Sequence, residues 1–449
     1  MTSPSTTQFA SELKAKLSGR TATLGVIGMG YVGLPLAVAA HHAGFRVIGF
    51  DIDPIKVSSI NAGKSPIKSL PSEKVAAMRA NDRFHATSDY AEIAQVDAVM
   101  ICVPTPLTEH RDPDLSFIEE TGRSIARHLR RGQLVVLEST TYPGTTQEVL
   151  RPILETSGLK TDSDYFLAYS PEREDPGNLN FETATIPRIV GADDEVTGAL
   201  AMALYSQIVS NVKQVSSAAA AEAVKLTENI FRSVNIALVN ELKVIYAKMG
   251  INIWEVIEGA KTKPFGFMAF YPGPGLGGHC IPIDPFYLSW KAREYNFTTR
   301  FIELAGEVNA AAPEYVIGEL VEALSRRSRK SLNGARVLVA GLAYKKNVDD
   351  MRESPSLRII EMLEERGAEV EFYDPFIPVI PTTREHAPLA GRKSITWSKE
   401  AMAGFDAVLI ATDHDDISYQ EMVDWSNLVV DTRNATAGVA SGQDKIVLA

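Results

Sequence analysis

Short apolar runs separated by polar and glycine-containing segments dominate the first third of the chain. Such a run between turn signals is typical of a buried strand, and strands that alternate with helical stretches are typical of a parallel α/β sheet. The segment from Leu34 to Ala40 has a helical composition and follows the first run. The pattern predicts strands at Thr23–Ile27, Arg46–Phe50, Asp97–Val103, Leu134–Leu137 and Phe166–Tyr169.

The last third of the chain repeats this strand–turn–helix–strand order. The pattern predicts a helix at Ser356–Arg366 and strands at Arg336–Ala340, Glu369–Tyr373, Ala407–Ala411 and Leu428–Asp431. Lys345, Lys346 and Arg352 follow the first of these strands and are suited to bind the phosphates of a nucleotide. This third therefore predicts a second parallel sheet with a nucleotide site of its own.

Between these two regions, residues 216–249 contain neither proline nor glycine. Their composition predicts one helix of ~35 residues, on the order of 50 Å long. Glu222, Lys225, Asn229 and Arg232 recur at helical spacing and form a polar stripe. Spacing alone favours an ordinary solvent-exposed face for this stripe. The predicted fold class is α/β, with two Rossmann-like, doubly wound parallel-sheet domains joined by a long central helix.

The amino-acid composition and net charge exclude several classes of function. The 449 residues are 45% hydrophobic and 22% charged, which is typical of a soluble protein with two or three domains. The net charge of -11 argues against nucleic-acid binding, which depends on Lys and Arg. Two cysteines cannot form a disulfide framework, and the N-terminal residues lack the apolar core of a signal peptide. We therefore expect a cytoplasmic protein that has no membrane partner.

The segment Gly28–Gly33 reads G-M-G-Y-V-G and lies between a predicted strand and a predicted helix. In this context Gly28 makes the tight turn, Gly30 lets the backbone approach a pyrophosphate, and Gly33 lets helix and strand pack closely. Asp51 ends the next predicted strand, where a carboxylate binds the adenosine ribose. Because Asp51 would repel a 2′-phosphate, the pattern favours NAD over NADP. The alternative is a tight turn without a ligand.

Polar residues follow several of the predicted strands. Thr105, Thr140 and Thr141 lie at positions where an open α/β sheet binds its ligand. These hydroxyls could face the cofactor or cap the next helix. Glu172 lies just beyond the strand Phe166–Tyr169 and is a candidate acid or base, with a solvated surface carboxylate as the alternative.

A glycine-rich bend, Gly273–Asp284, carries one of the two cysteines in the sequence G-P-G-L-G-G-H-C-I-P-I-D. Cys280 is flanked by His279, and Asp284 follows four residues later. Glycines allow a backbone to approach a ligand closely, and a cysteine in such a setting is a candidate nucleophile. The alternative is a structural turn that carries a thiol.

Taken in order, these motifs resemble the nucleotide-sugar dehydrogenases of the UDP-glucose/UDP-N-acetylhexosamine 6-dehydrogenase family, over nearly the whole chain. The motifs are G-M-G-Y-V-G-L-P-L-A from Gly28, V-P-T-P from Val103, S-T-T-Y-P-G-T-T from Ser139, S-P-E-R-E-D-P-G from Ser170, A-E-A-V-K-L-T-E-N ending at Asn229, G-G-H-C-I-P-I-D-P from Gly277 and D-D-M-R-E-S-P from Asp349.

The resemblance implies a two-step, four-electron oxidation of a UDP-sugar at C6 by two molecules of NAD. Cys280 would capture the intermediate aldehyde as a thiohemiacetal, and oxidation to a thioester and hydrolysis would follow. Lys225 and Asn229 would stabilise the oxyanion. Asp284, Glu172 and Thr140 match positions tied to proton transfer, water activation and a bound water, and which residue does which stays open.

The resemblance also implies binding residues and a domain order, and it includes no metal ion. The domains would be 1–214 (NAD binding), 215–315 (central, helical, dimerising and carrying Cys280) and 316–449 (UDP-sugar binding), in a homodimer. The cofactor-binding residues would be Gly28, Gly30, Tyr31, Val32, Gly33, Asp51, Lys56, Thr105, Thr140 and Arg352. The substrate-binding residues would be Glu172, Arg173, Lys225, Asn229, Lys263, Tyr271, Gly277 and Lys345.

Departures from the UDP-glucose members indicate the substrate. Pro176 stands where those members carry a second glutamate, and His279 precedes the cysteine. Together with Thr262–Phe267, these residues favour UDP-N-acetyl-D-glucosamine, with UDP-glucose and UDP-N-acetyl-D-mannosamine as alternatives. A dehydrogenase that stops at the aldehyde and an inactive nucleotide-binding regulator are the remaining alternatives.

Overall fold

A computed structural model describes residues 6–67, 70–108, 112–173, 184–278, 280–383 and 386–449. The chain forms two compact units. The first comprises Met1–Glu228 and Phe286–Thr298, and the second comprises Asn229–Pro285 and Thr299–Ala449. The predicted three-part division into domains stays a prediction. In the described ranges, no helix is both long and apolar enough to cross a membrane.

The strands in chain order are β1 (Thr23–Ile27), β2 (Arg46–Phe50), β3 (Phe84–Thr87), β4 (Ala98–Ile101), β5 (Leu134–Leu137), β6 (Phe166–Tyr169), β7 (Arg188–Gly191), β8 (Val212–Val215), β9 (Arg336–Ala340), β10 (Glu369–Tyr373), β11 (Ala407–Ile410), β12 (Val429–Asp431) and β13 (Ile446–Leu448).

The α-helices in chain order are α1 (Thr6–Ser18), α2 (Gly33–His42), α3 (Pro54–Asn61), α4 (Ser72–Arg79), α5 (Ser116–Ala126), α6 (Arg151–Glu155), α7 (Glu195–Ile208), α8 (Ala218–Lys248), α9 (Ile253–Lys261), α10 (Asp284–Glu294), α11 (Arg300–Ala323), α12 (Pro355–Glu365), α13 (Lys399–Met402) and α14 (Tyr419–Trp425).

The first unit is built on a sheet that, in the part of the chain described, has the strand order β3-β2-β1-β4-β5-β6-β7-β8. All of its strands except β3 and β8 are largely buried on both faces, because their side chains alternate between two hydrophobic layers. In β5, Leu134 and Val136 join the layer that contains α1, α2 and α7, whereas Val135 and Leu137 join the layer that contains α5 and α6. This two-sided burial accounts for the apolar runs in the sequence.

The second unit contains a parallel sheet with the order β10-β9-β11-β12-β13 among the described residues. Val337 and Val339 of β9 pack in one layer with α11 and α12, and Leu338 packs in the other with α13 and α14. The prediction of two Rossmann-like parallel sheets is confirmed.

Helix α8 has 31 residues, close to the predicted length, and runs from the first unit into the second. The expectation that its polar stripe is solvent-exposed is wrong for three of its members. Glu222 is 0%, Lys225 7% and Asn229 2% exposed. Buried polar groups need partners. Glu222 bonds to the loop that follows β5, and Asn229 bonds to Asp284 at the start of α10. Only Arg232 of the stripe is exposed.

Some strand predictions need correction. β4 spans Ala98–Ile101 rather than Asp97–Val103, because its ladders with β1 and β5 comprise only these four residues. Sequence patterns missed β3, β7, β8 and β13, which have three or four residues each and, in β3 and β8, mixed polarity. Short strands of this kind form because a neighbouring strand offers a ladder, which local composition does not reveal.

Candidate active site

The glycine turn after β1 has the geometry that a dinucleotide requires. Gly28 has φ +93°, and a Cβ there would lie 2.5 Å from the Cys102 carbonyl oxygen. A Cβ on Gly33 would lie 2.0 Å from the Gly28 oxygen, so α2 can pack against β1 only without a side chain. A Cβ on Gly30 would have no atom within 4 Å, so the space beside it is open. These residues fit a pyrophosphate at the N-terminus of α2.

Asp51 follows β2 and is held from three sides. Its Oδ2 accepts hydrogen bonds from the Met29 amide at 2.9 Å and from Lys56 Nζ at 2.8 Å, and its Oδ1 accepts one from the Asp53 amide at 3.0 Å. The first bond ties the carboxylate to the glycine turn. Asp51 is therefore fixed where the ribose hydroxyls of NAD would bind, and Lys56 is anchored with it.

The other predicted cofactor residues of the first unit lie at strand ends. Tyr31 and Val32 are half-buried in the glycine turn, directly before α2. Thr105 is 4% exposed, and its carbonyl oxygen accepts a hydrogen bond from the Tyr287 hydroxyl. Thr140 follows β5 and is half-buried.

Glu222 joins α8 to the loop that follows β5. Its carboxylate accepts hydrogen bonds from the Gly144 amide at 2.6 Å, the Thr146 amide at 2.9 Å and the Thr146 hydroxyl at 2.6 Å. Burial raises the pKa of Glu222 to about 7, although these donors oppose the rise. Glu222 thus fixes the loop that contains Thr140 to the helix that carries Lys225 one turn later.

Glu172 is buried rather than solvated, so the surface alternative is wrong. Its Oε1 accepts a hydrogen bond from the Arg173 amide at 2.7 Å, and its Oε2 accepts one from Arg188 Nη1 at 3.1 Å. Sequence patterns missed Arg188, although a charged residue opening the apolar run R-I-V-G was a signal. The Arg173 side chain forms a bidentate ion pair with Glu228 on α8, at 2.6 and 3.2 Å.

In the second unit, Asn229 and Asp284 form a buried pair. Asn229 Nδ2 donates a hydrogen bond to Asp284 Oδ2 at 2.6 Å, and Asp284 is 1% exposed. The Asp284 amide also donates to the Cys280 carbonyl oxygen at 2.9 Å, so the partly exposed cysteine precedes the first turn of α10. His279 and Pro176, on which the substrate prediction depends, lie outside the described residues.

The glycine-rich bend before Cys280 packs tightly against the loop that follows β9. A Cβ on Gly277 would lie 2.5 Å from the Tyr344 Cβ. The Gly278 amide donates to the Arg352 carbonyl oxygen at 2.9 Å, while the Arg352 guanidinium pairs with Asp350 at 2.6 Å. Glycine is required here by close backbone approach.

The loop that carries Lys345 is braced by a buried histidine. His414 Nδ1 accepts from the Asn347 amide at 3.0 Å, and His414 Nε2 lies 3.1 Å from Asp374 Oδ2. Lys345 is half-buried in this loop, whereas Lys346 pairs with Asp415 at 2.9 Å on the surface.

Two predicted substrate residues lie on the surface of the second unit. Lys263 is exposed, with its Nζ 5.1 Å from the centre of the Phe265 ring. Tyr271 is 39% exposed, stacks on Trp254, and donates its hydroxyl to Glu258 at 2.5 Å.

Most of the chain matches models of one known protein family. Three models of the UDP-glucose/GDP-mannose dehydrogenase family match it: the NAD binding domain at residues 22–209, the central domain at 219–311 and the UDP binding domain at 338–438.

Individual relatives show the same similarity. The UDP-N-acetyl-D-glucosamine 6-dehydrogenase of Pseudomonas aeruginosa is 36% identical over 80% of this chain and 84% of its own length. The UDP-N-acetyl-D-mannosamine dehydrogenase of Pyrococcus horikoshii is 34% identical over 92% and 95%. A solved structure of UDP-D-ManNAc dehydrogenase from Pyrococcus horikoshii has a TM-score of 0.84 at 32% identity and covers 95% of this chain and 98% of its own. The chain belongs to the UDP-glucose/GDP-mannose dehydrogenase family, and its NAD-binding and UDP-binding domains make it an NAD-dependent nucleotide-sugar dehydrogenase.

Proposed function

We propose that this enzyme oxidises UDP-N-acetyl-D-glucosamine at C6 to UDP-N-acetyl-D-glucosaminuronate. The observation that carries the proposal is the partly exposed Cys280, whose carbonyl oxygen accepts a hydrogen bond from the amide of Asp284, the buried partner of Asn229. A nucleophile next to fixed polar groups suits covalent capture of an aldehyde. The 36% identity to the Pseudomonas aeruginosa UDP-N-acetyl-D-glucosamine 6-dehydrogenase supports the choice of sugar.

The overall reaction consumes one sugar alcohol, one water and two NAD⁺, and yields one carboxylate, two NADH and three protons. When bound, NAD accepts a hydride from C6, first from the alcohol and later, as a second molecule, from the thiohemiacetal. The glycine turn Gly28–Gly33 and Asp51 would hold the pyrophosphate and the ribose.

Cys280 forms the covalent intermediate. Its sulfur bonds to the aldehyde carbon, and the thiol proton passes to the aldehyde oxygen. The thiohemiacetal is a hydride donor, which a free aldehyde is not, and the covalent bond keeps the intermediate from escaping. Asp284, four residues after Cys280, is proposed to take part in this proton transfer.

Lys225 and Asn229 lie one turn apart on α8 and are proposed to stabilise the negative charge that develops on the C6 oxygen. The Asn229 amide uses one N–H to bind Asp284, which fixes the direction of its side chain. An amide carries a second N–H, and this donor is proposed to bind the oxyanion.

Thioester hydrolysis needs an activated water. Glu172 is proposed to accept its proton, and Thr140 to hold the water by its hydroxyl. The oxygen then bonds to the acyl carbon, the carbon–sulfur bond breaks, and Cys280 leaves as the thiolate.

UDP-N-acetyl-D-mannosamine is the second candidate substrate. The Pyrococcus horikoshii relative that is named for this sugar matches a larger share of this chain, 92%, than the P. aeruginosa relative does. The two sugars differ in the orientation of the acetamido group, so pocket shape decides between them.

A homodimer through α8 is also proposed. Phe231, Leu238 and Ile245 recur every seventh residue and are 47%, 51% and 43% exposed. Side chains at this spacing share one helix face, and an apolar face of this kind suits contact with a second copy of the helix. The cytoplasmic location stays a prediction.

The test is the amount of NADH formed from limiting UDP-N-acetylglucosamine, UDP-N-acetylmannosamine and UDP-glucose in parallel. Two NADH per molecule of the first sugar, with little from the others, are expected. Turnover of another sugar would keep the mechanism and overturn the substrate. One NADH per sugar would favour an enzyme that stops at the aldehyde, and no NADH from any sugar would favour the regulator.

A further inference from the structure

In the first unit, one buried arginine is shared between two buried carboxylates. Arg188 Nη1 bonds Glu172 Oε2 at 3.1 Å, and Arg188 Nη2 bonds Glu138 Oε2. The exposed fractions of Arg188, Glu172 and Glu138 are 3%, 7% and 0%. A single cation therefore serves two acids in a region where charges are poorly screened.

The sheet topology explains why these groups meet. β6 and β7 run antiparallel, whereas the other described neighbours in this sheet are parallel. In this antiparallel pair Tyr169 lies opposite Gly191. Continued by three residues on each chain, it brings 172 opposite 188. The reversal thus places the first residue of β7 at the sheet edge where β5 and β6 end, beside Glu138 and Glu172.

Other groups complete the cluster. Tyr205 of α7 donates its hydroxyl to Glu138 Oε1, and the guanidinium lies 5.1 Å from the centre of the Tyr205 ring. Arg188 Nε donates to the Ser170 hydroxyl at 3.2 Å. Cys102 directly follows β4 and is also ionisable. The negative charge of its thiolate would raise the pKa of Arg188. Glu138 thus accepts hydrogen bonds from two side-chain donors, Arg188 and Tyr205, and Arg188 also bonds Glu172.

The charges in the cluster are coupled. Burial lowers the pKa of Arg188, but Glu138 and Glu172 raise it further, so the guanidinium stays charged. Burial raises the pKa of Glu138, the Arg188 guanidinium opposes this rise, and the Glu172 carboxylate adds to it. The two carboxylates therefore compete for the same positive charge.

We propose that Arg188 is a positioning residue that orients Glu172 and keeps its carboxylate ready to accept a proton. Glu138 competes for the same guanidinium and so weakens the attraction between Arg188 and Glu172. The inference rests on the proposed function, in which Glu172 takes a proton from the water that attacks the thioester. A carboxylate that shares its cation is a stronger base than one paired alone, and a weaker base than one with no cation.

The first experiment compares the pH dependence of kcat in wild-type enzyme, Glu138→Gln and Arg188→Met. The acid limb of this profile reports protonation of the base. Glu138→Gln removes a competing negative charge without changing shape, so the limb should move to lower pH by about one unit. Arg188→Met removes the cation, so the limb should move to higher pH, and acyl-enzyme on Cys280, seen by intact mass after rapid quenching, should accumulate.

Arg188→Lys and Glu73→Gln are the matched controls. Lysine keeps the positive charge but lacks the two-pronged guanidinium. The acid limb of Arg188→Lys should therefore lie between the limbs of wild type and Arg188→Met. Glu73 is exposed on α4, and its replacement should not move the profile. A purely structural Arg188 would lower the melting temperature and all rates together and leave the limb in place. If folded Glu138→Gln keeps the acid limb of the wild type, the inference is overturned. This holds even if the Arg188 variants do not fold.

A measurement without turnover separates this inference from the proposed function. Melting temperatures are compared for Glu138→Gln, Glu172→Gln and the double variant. If Arg188 serves both acids, the double variant should be less stable than the sum of the single changes, because it leaves a buried guanidinium without a carboxylate. Additive effects would overturn the sharing. Absence of NADH from every UDP-sugar in the wild type, beside a non-additive cycle, would instead overturn the proposed function.

Discussion

Replacement of Glu222 by glutamine tests how a buried carboxylate couples stability to pH. Glu222 is 0% exposed, and burial raises its pKa from 4.5 to about 7. Between these values the folded protein binds more protons than the unfolded chain. The free energy of unfolding therefore decreases as pH rises through this window and levels off above it.

The shift of about 2.5 units corresponds to about 3 kcal/mol at 1.36 kcal/mol per unit. Glutamine does not titrate, so this pH-dependent part should vanish in Glu222→Gln. Glutamine also has one acceptor oxygen for the three donors of Gly144 and Thr146, which should cost about 1–3 kcal/mol near pH 4.5. The variant should thus be less stable than wild type in acid and comparable to it or more stable above pH 7.

The assay is urea unfolding followed by circular dichroism at a series of pH values, with Glu73→Gln as the exposed control. The quantity of interest is the difference in unfolding free energy between wild type and Glu222→Gln at each pH. A difference that stays constant from acid to neutral pH would refute the reasoning, because it would mean that the three donors outweigh burial and hold Glu222 ionised throughout.

Three further changes test the site. Cys280→Ala should abolish net acid formation but keep NAD binding, measured by NADH yield and calorimetry; normal turnover would exclude Cys280 as the nucleophile. Gly33→Ala should lower the melting temperature, because its Cβ would meet the Gly28 oxygen at 2.0 Å, whereas Gly30→Ala, with open space around it, should mainly weaken NAD binding; equal stability losses would contradict this contrast. Leu238→Glu should yield monomers in light scattering if α8 forms the dimer, and an unchanged mass would place the interface elsewhere.

Much of the fold follows from local sequence. β1, β2, β5, β6 and β9 begin and end at the predicted residues, because a strand buried on both faces is a short apolar run. β10 also has the predicted bounds, and in it exposed Glu369 and Glu371 alternate with buried Val370 and Phe372. The glycine turn was predictable for a similar reason. Gly28 and Gly33 are required by backbone geometry within one strand–turn–helix unit, and the acid that completes it, Asp51, ends the neighbouring strand.

The environments of the reactive side chains depended on tertiary structure. The spacing of Glu222, Lys225 and Asn229 favoured a solvated face, yet all three are buried. The partners of Glu222 and Asn229 come from distant parts of the chain, the loop after β5 and the start of α10. Arg188 gave only a weak signal, since its partners Glu138 and Glu172 lie beyond the ends of β5 and β6. They meet it through an antiparallel pairing that no local pattern encodes. By itself the sequence determined which elements form, because periodicity and backbone conformation are local properties. Only the tertiary structure decided which charges are buried together, because burial and pairing depend on residues far apart in the chain.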